Sequence, residues 1–139
     1  MNKIIAAAVV SFATFATSAH AATPTKADPV KQCFDHAQDQ EQQARCYDAA
    51  VAVQKKRLNA AYNKLIAHRK AANDSAGIAA LNQMQKDWIK SRDGTVNYLN
   101  NHVAGSASAA FAVSNDFMLD AVAKQADLLE TIRDMEGGE

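Results

Sequence analysis

Apolar residues recur every three or four positions through most of the chain beyond residue 40, which is the spacing of one face of an α-helix. Three such stripes are separated by two short segments, AANDSAG and VAGSAS. The residues expected to face inward are Tyr47, Val51, Leu58, Tyr62 and Leu65, then Ile78, Leu81, Trp88 and Leu99, then Phe111, Met118, Val122, Leu129 and Ile132. The pattern predicts three long helices, the last from about residue 107 to residue 135.

A fourth, shorter helix is predicted before these three. Asp28 and Pro29 resemble an N-cap followed by a proline at the first helical position, which predicts a helix as far as about Ala37. Asp39, with Gln42 three residues later, resembles a capping box. The first long helix is therefore expected to begin just after Asp39.

The helix between the two polar segments is expected to begin after Asp74 or Ser75 and to end near His102. Alanine, glutamine, lysine and leucine dominate the chain, and runs of alternating β-branched residues are almost absent. We therefore predict an all-α fold, in which a short N-terminal helix precedes about three long antiparallel helices in one bundle.

The N-terminal segment has the composition of a secretory signal peptide. Lys3 precedes the apolar run IIAAAVVSFATF, and Ala19-His20-Ala21 resembles an A-x-A cleavage site. The run is too short to span a bilayer, and no later stretch approaches ~20 apolar residues. We expect cleavage near Ala21, a single helical domain over residues 22–139 with no membrane span, and a periplasmic or secreted location.

Cys33 and Cys46 are the only two cysteines, and in an exported chain they are expected to pair. On one continuous helix their Cα atoms would be ~20 Å apart, whereas a disulfide needs ~7 Å or less. A disulfide therefore requires a break in the helix, which Asp39 offers. His36 is three residues from Cys33, but no second Cys–His pair follows, so we predict neither a metal nor another cofactor.

Charge is separated along the chain although the total is balanced. Residues 45–92 carry ten Lys and Arg against three Asp, whereas residues 116–139 carry seven acidic side chains against two basic ones. In an antiparallel bundle these faces would neutralise each other. Alternatively, an exposed acidic last helix would steer a cationic partner towards the protein.

Catalytic motifs are missing from the sequence. His36, His68 and His102 remain after the predicted cleavage, and none lies in an HExxH-type or nucleophile-elbow motif. No glycine-rich phosphate loop is present either. We therefore do not expect an enzyme, and we do not expect nucleic-acid binding, because the basic segment has few aromatic residues and the chain is predicted to be exported.

The stretch LNQMQKDWIKSRD, residues 81–93, combines apolar and polar residues on one helical face. Gln85 and Arg92 share that face with Leu81 and Trp88. One interpretation is a polar seam between helices, in which Asn59, Gln85 and Arg92 satisfy each other's hydrogen bonds. The other is an interface in which Arg92 or Lys90 is exposed beside the tryptophan.

This stretch, together with Cys-x12-Cys, LNAAY, a Gly-Ser turn and KQADLLETI, resembles the LprI-type lysozyme-inhibitor family of exported bacterial proteins. The resemblance extends from about residue 33 to residue 132. The positions that match the family pattern are Cys33, Cys46, Leu58, Asn59, Tyr62, Gln85, Trp88, Arg92 and Asp93.

The sequence departs from that pattern at three places. Lys55 replaces an acidic residue before the LN pair, and Gly105-Ser106 replaces a Gly-Gly turn. Val96 and Asp116 stand where the family has a second cysteine pair. The disulfide expected between the third and fourth helices is therefore absent from this chain.

The resemblance implies a binding protein that blocks lysozyme or a related peptidoglycan hydrolase without turnover. A basic or hydroxyl side chain could then meet the catalytic carboxyl groups of the hydrolase. The candidate contacts are Arg69 and Lys70 in the HRKAANDSAG turn (68–77), Lys90, and the acidic residues Asp127, Glu130 and Asp134 of the last helix. The alternative is a periplasmic helical interaction module, such as a toxin-immunity or envelope adaptor protein.

Overall fold

The computed structural model describes residues 29–137, and this part of the chain is helical without strands. The helices are α1 (Pro29–His36), α2 (Gln40–Ala71), α3 (Ser75–Asn101) and α4 (Ala107–Met135). The predicted all-α architecture, a short helix followed by three long ones, is confirmed. The signal peptide, its cleavage site and the Asp28 cap lie outside the described residues, and so they stay predictions.

Side-chain caps define where the long helices begin. The Asp39 carboxylate accepts a hydrogen bond from the Gln42 backbone N–H at 2.7 Å, as the predicted capping box requires. The Gln42 side chain reaches back to the Gln38 N–H at 3.0 Å, one residue before the cap itself. Asp74 and Ser106 each accept from a backbone N–H three residues on, at 2.8 and 3.2 Å. Asp74 therefore caps α3, and the serine of the altered Gly-Ser turn caps α4.

The break between α1 and α2 allows the two cysteines to meet. Cys33 and Cys46 form a disulfide with their Cα atoms 5.6 Å apart, which confirms the predicted pair. Next to it, Phe34 of α1 packs edge-on against Tyr47 of α2, with ring centroids 4.7 Å apart. The disulfide and this aromatic contact hold α1 against the first turns of α2.

The core lies along α4, which packs extensively on α2 and less extensively on α3. Leu65, Val122 and Leu129 are the largest fully buried side chains. Each residue predicted to face inward is buried or half-buried. Helices α2 and α3 pack least against each other among the three long helices, and a groove lies between them. None of the described helices is long and apolar enough to cross a membrane.

Candidate functional site

The groove between α2 and α3 brings together most of the motif that resembles the inhibitor family. Leu58, Asn59 and Tyr62 line it from α2, and Gln85 and Trp88 line it from α3. The groove is open to solvent and has a volume of about 450 Å³, similar to that of the other surface depressions. Asn82, Lys86 and Ile89 complete its lining. Residues that are widely separated in sequence therefore form one continuous surface feature.

Gln85 lies at the floor of this groove and is only 8% exposed. Its Oε1 accepts a hydrogen bond from Gln125 Nε2 of α4 at 3.1 Å. Its own Nε2 is buried and has no hydrogen-bond partner among residues 29–137. The expected three-way seam is therefore wrong in its partners, because Gln125 takes the place assigned to Asn59 and Arg92.

The α2 wall of the groove carries a second polar contact. The Tyr62 hydroxyl donates a hydrogen bond to Asn82 Oδ1 across the groove. Asn59 is exposed, and its carboxamide makes no hydrogen bond within the described chain. The mouth of the groove therefore keeps polar groups that are available to a ligand.

Trp88 and Arg92 form a cation–π pair, with the guanidinium carbon 4.7 Å from the ring centroid. The Arg92 side chain is 15% exposed and pairs with Asp93 at 2.7 Å. Lys90 is exposed and lines a shallow depression with Tyr98, away from the Trp88 ring. Arg92 therefore packs against Trp88 within the fold, as expected if this face serves helix packing. Lys90 is on the surface, where it could contact a partner.

The acidic face of α4 is largely neutralised by arginines. Arg57 of α2 pairs with Asp127 at 2.7 Å and with Glu130 at 2.5 Å. Hydrogen bonds with Glu130 and then Asp127 raise the pKa of Arg57 above its ordinary value. Asp134 pairs with Arg133 of the same helix at 2.6 Å. The Arg57 pairs support the interpretation in which the two charged faces neutralise each other across the bundle, whereas the Asp134 pair lies within α4.

Ion pairs hold the turn between α2 and α3 against the end of α4. Arg69 pairs with Asp74 at 2.7 Å and also with Glu136 at the end of α4. The Gly77 backbone hydrogen bond, followed by that of Arg69, lowers the pKa of Asp74. A Cβ atom at Gly77 would lie 2.0 Å from Asp74 Oδ2, so a side chain there would displace the carboxylate that caps α3. Of the two basic candidates in the turn, Lys70 alone is exposed and without an ion pair in residues 29–137.

The two positions of the missing cysteine pair have separate surroundings. Asp116 accepts a hydrogen bond from the Tyr47 hydroxyl at 2.5 Å and lines a depression with Pro29. Burial, followed by the hydrogen bond and charge of Asp116, raises the pKa of Tyr47 to about 12. Val96 and the exposed Lys55 line a different depression. Asp116 therefore links α4 to α2 and not to α3.

Five of the predicted motif residues line the groove, but the sequence analysis missed its other lining residues, Asn82, Lys86 and Ile89, and the Gln85 partner Gln125. Asn82 and Lys86 are four residues apart and so share one face of α3, which was a usable signal. Gln125 gave no comparable signal, because its pairing depends on the register of α4. In residues 29–137, no group of three or more His, Cys, Asp or Glu side chains could hold a metal ion.

The lysozyme inhibitor LprI family model matches residues 33–129, which include the disulfide, the groove and Gln125. The chain belongs to this family. The match begins at Cys33 and ends within α4, so it covers parts or all of the four helices. Comparisons with curated proteins and with solved structures gave no match.

Proposed function

We propose that this protein is an exported inhibitor that binds a lysozyme-class peptidoglycan hydrolase and blocks it without turnover. Membership of the LprI lysozyme-inhibitor family is the observation that carries the proposal. The N-terminal segment with its A-x-A site and the Cys33–Cys46 disulfide support export to an oxidising compartment. Hydrolases of the cell wall act in the same compartment.

The pattern of ion pairs among residues 29–137 favours lysines as the contact with the hydrolase. Lysozyme-type hydrolysis uses two carboxyl groups in a cleft, so an inhibitor that presents an ammonium group would complement them. Lys70 and Lys90 are exposed and form no ion pair in the described chain. The acidic candidates on α4 and Arg69 are already paired within the protein. We therefore place the contact on the two lysines rather than on the acidic helix.

An activity assay tests the proposal. Purified mature protein, residues 22–139, is added to lysozymes of several structural classes during clearing of a cell-wall suspension, and binding is measured separately by biolayer interferometry. We expect inhibition of at least one class, with the added protein recovered intact. Absence of binding and inhibition at micromolar concentration would contradict the proposal and favour the helical interaction module.

Charge reversal tests the location of the contact. Lys70→Glu or Lys90→Glu should weaken hydrolase binding, because the lysine that enters the cleft would be replaced by a carboxylate that faces the acidic groups. Lys56→Glu is the matched control, since Lys56 is also an exposed lysine without an ion pair in residues 29–137. Equal binding by all three variants would show that neither Lys70 nor Lys90 contacts the hydrolase. The proposed function would then still be tested by the inhibition assay.

A further inference from the structure

We infer that the α2–α3 groove is a binding site for an N-acetylated amino-sugar unit of a glycan. This site would give the protein a second binding activity, and the inference does not depend on hydrolase inhibition. Its evidence is the composition of the groove, the set of unpaired donors within it and the buried carboxamide of Gln85 at its floor.

Hydrogen-bond donors dominate the groove. Asn59 and Lys86 make no hydrogen bond or ion pair in the described chain, and Asn82 uses only its Oδ1, which accepts from Tyr62. No carboxylate lines the groove. Because amide and ammonium groups supply the free hydrogens, the groove suits a ligand rich in acceptor oxygens.

Apolar and aromatic surfaces lie between these donors. Leu58 and Ile89 contribute aliphatic surface, and Tyr62 and Trp88 contribute aromatic surface. A pyranose ring has C–H groups that pack on such surfaces and hydroxyl groups that bond at the rim. The groove is open to solvent, and its volume of about 450 Å³ is suited to a small ligand rather than to a folded domain.

Gln85 points to the acetamido group in particular. A buried amide N–H without a partner is costly and is rare in folded proteins, yet Gln85 Nε2 is in this state. Gln85 is one of the residues that line the groove, and its Nε2 is buried, so a ligand carbonyl would reach that nitrogen only when a neighbouring side chain turns aside. An acetamido carbonyl would supply the missing acceptor, and its methyl group would meet the apolar lining.

The same donor excess disfavours a polypeptide segment. A peptide presents one N–H for each carbonyl, and its N–H groups need acceptors. Asn82 Oδ1 and Gln85 Oε1 are already occupied by Tyr62 and Gln125, which leaves Asn59 Oδ1 as the one amide oxygen of the lining that is free of hydrogen bonds in residues 29–137. A sugar hydroxyl can accept from a donor of the groove while it donates to solvent at the rim, whereas the N–H of a peptide can only donate, so the groove suits a sugar better than a protein loop.

Tryptophan fluorescence tests the inference on the isolated mature protein. Trp88 is the only tryptophan in the chain and lines the groove. Titration with tri-N-acetylchitotriose should give a saturable change in emission. Cellotriose has the same sugar backbone without acetamido groups and should give none. No response to chitotriose, or an equal response to both, would overturn the inference.

Variants in matched positions sharpen the test. Asn59→Ala should weaken chitotriose binding roughly fivefold, the effect of losing about one hydrogen bond. Asn63→Ala is the control, because Asn63 is exposed on the same helix and outside the groove. Equal affinity of the Asn59 and Asn63 variants would contradict the assignment, provided that circular dichroism shows both folded.

Two further binding experiments identify the source of the sugar and the role of Gln85. A disaccharide of N-acetylglucosamine and N-acetylmuramic acid carries a carboxylate, so Lys86→Ala should weaken it more than chitotriose if the ligand is bacterial cell wall. Gln85→Leu should abolish the preference for chitotriose over cellotriose. Hydrolase inhibition is assayed in parallel, so failure of glycan binding and failure of inhibition are separate results.

Discussion

Replacing the Gln85–Gln125 pair by leucines should reveal whether the pair serves stability. Gln85 and Gln125 are 8% and 7% exposed and share one hydrogen bond of 3.1 Å. Gln125→Leu would leave the whole Gln85 carboxamide buried without a partner, and such a loss costs about 1–3 kcal/mol. Gln85→Leu would strand Gln125 Nε2 in the same way, although it also removes the unpaired Gln85 nitrogen.

The double variant should behave differently from either single one. It gives up one hydrogen bond with a net value of about 0.5–1.5 kcal/mol, and it removes a buried unpaired donor that costs about 1–3 kcal/mol. Leucine is close to glutamine in size and buries more apolar surface. We therefore expect the double variant to be as stable as the parent protein or up to about 2 kcal/mol more stable.

Urea denaturation followed by circular dichroism measures the four free energies of unfolding in this double-mutant cycle. The expected result is a double variant more stable than the Gln125→Leu protein and without acetamido-sugar binding. Such a result would show that the pair is kept for binding rather than for stability. Destabilisation of the double variant by the sum of the two single effects would refute the reasoning.

Three more predictions concern the folded framework. Trp88→Ala should lower the free energy of unfolding by about 2–3 kcal/mol, which is below the value for a fully buried tryptophan, because Trp88 is half-buried. An unchanged urea denaturation curve would show that the Trp88 ring contributes little to the packing of the helices. The oxidised protein should show no free thiol in a denatured thiol titration, and replacing Cys33 and Cys46 by serine should cost roughly 3 kcal/mol; two titratable thiols would contradict the pairing. Tyr47 should ionise near pH 12 by absorbance, and Asp116→Asn should lower that midpoint. Because folding raises this pKa above 10, stability should be retained below pH 10 and should fall as the pH rises towards 12; an unshifted midpoint would argue against the contact.

Local signals made the helix ends and the disulfide predictable. A capping residue and its backbone N–H partner are three residues apart, so Asp39 could be assigned from sequence and the cap of α3 could be narrowed to Asp74 or Ser75. The distance limit on a disulfide then required the break between Cys33 and Cys46. These features depend on neighbouring residues and not on how the long helices pack.

Contacts between helices that are distant in sequence were harder to predict. Sequence periodicity indicated that Gln85 faces inward, but the partner could be chosen only once the register of α4 was known. The charge pattern was compatible with neutralisation of the α4 acids or with their exposure for steering, and only the packed helices show that Arg57 pairs with Asp127 and Glu130. The groove itself depends on the weak packing of α2 on α3, which no local pattern encodes.

The most direct test of the proposed function is a titration of lysozyme activity with the folded, oxidised mature protein. At a lysozyme concentration above the dissociation constant, activity should fall linearly and reach its end point near an equimolar ratio, with the added protein unmodified. Full lysozyme activity at a micromolar excess, across all structural classes tested, would contradict the account.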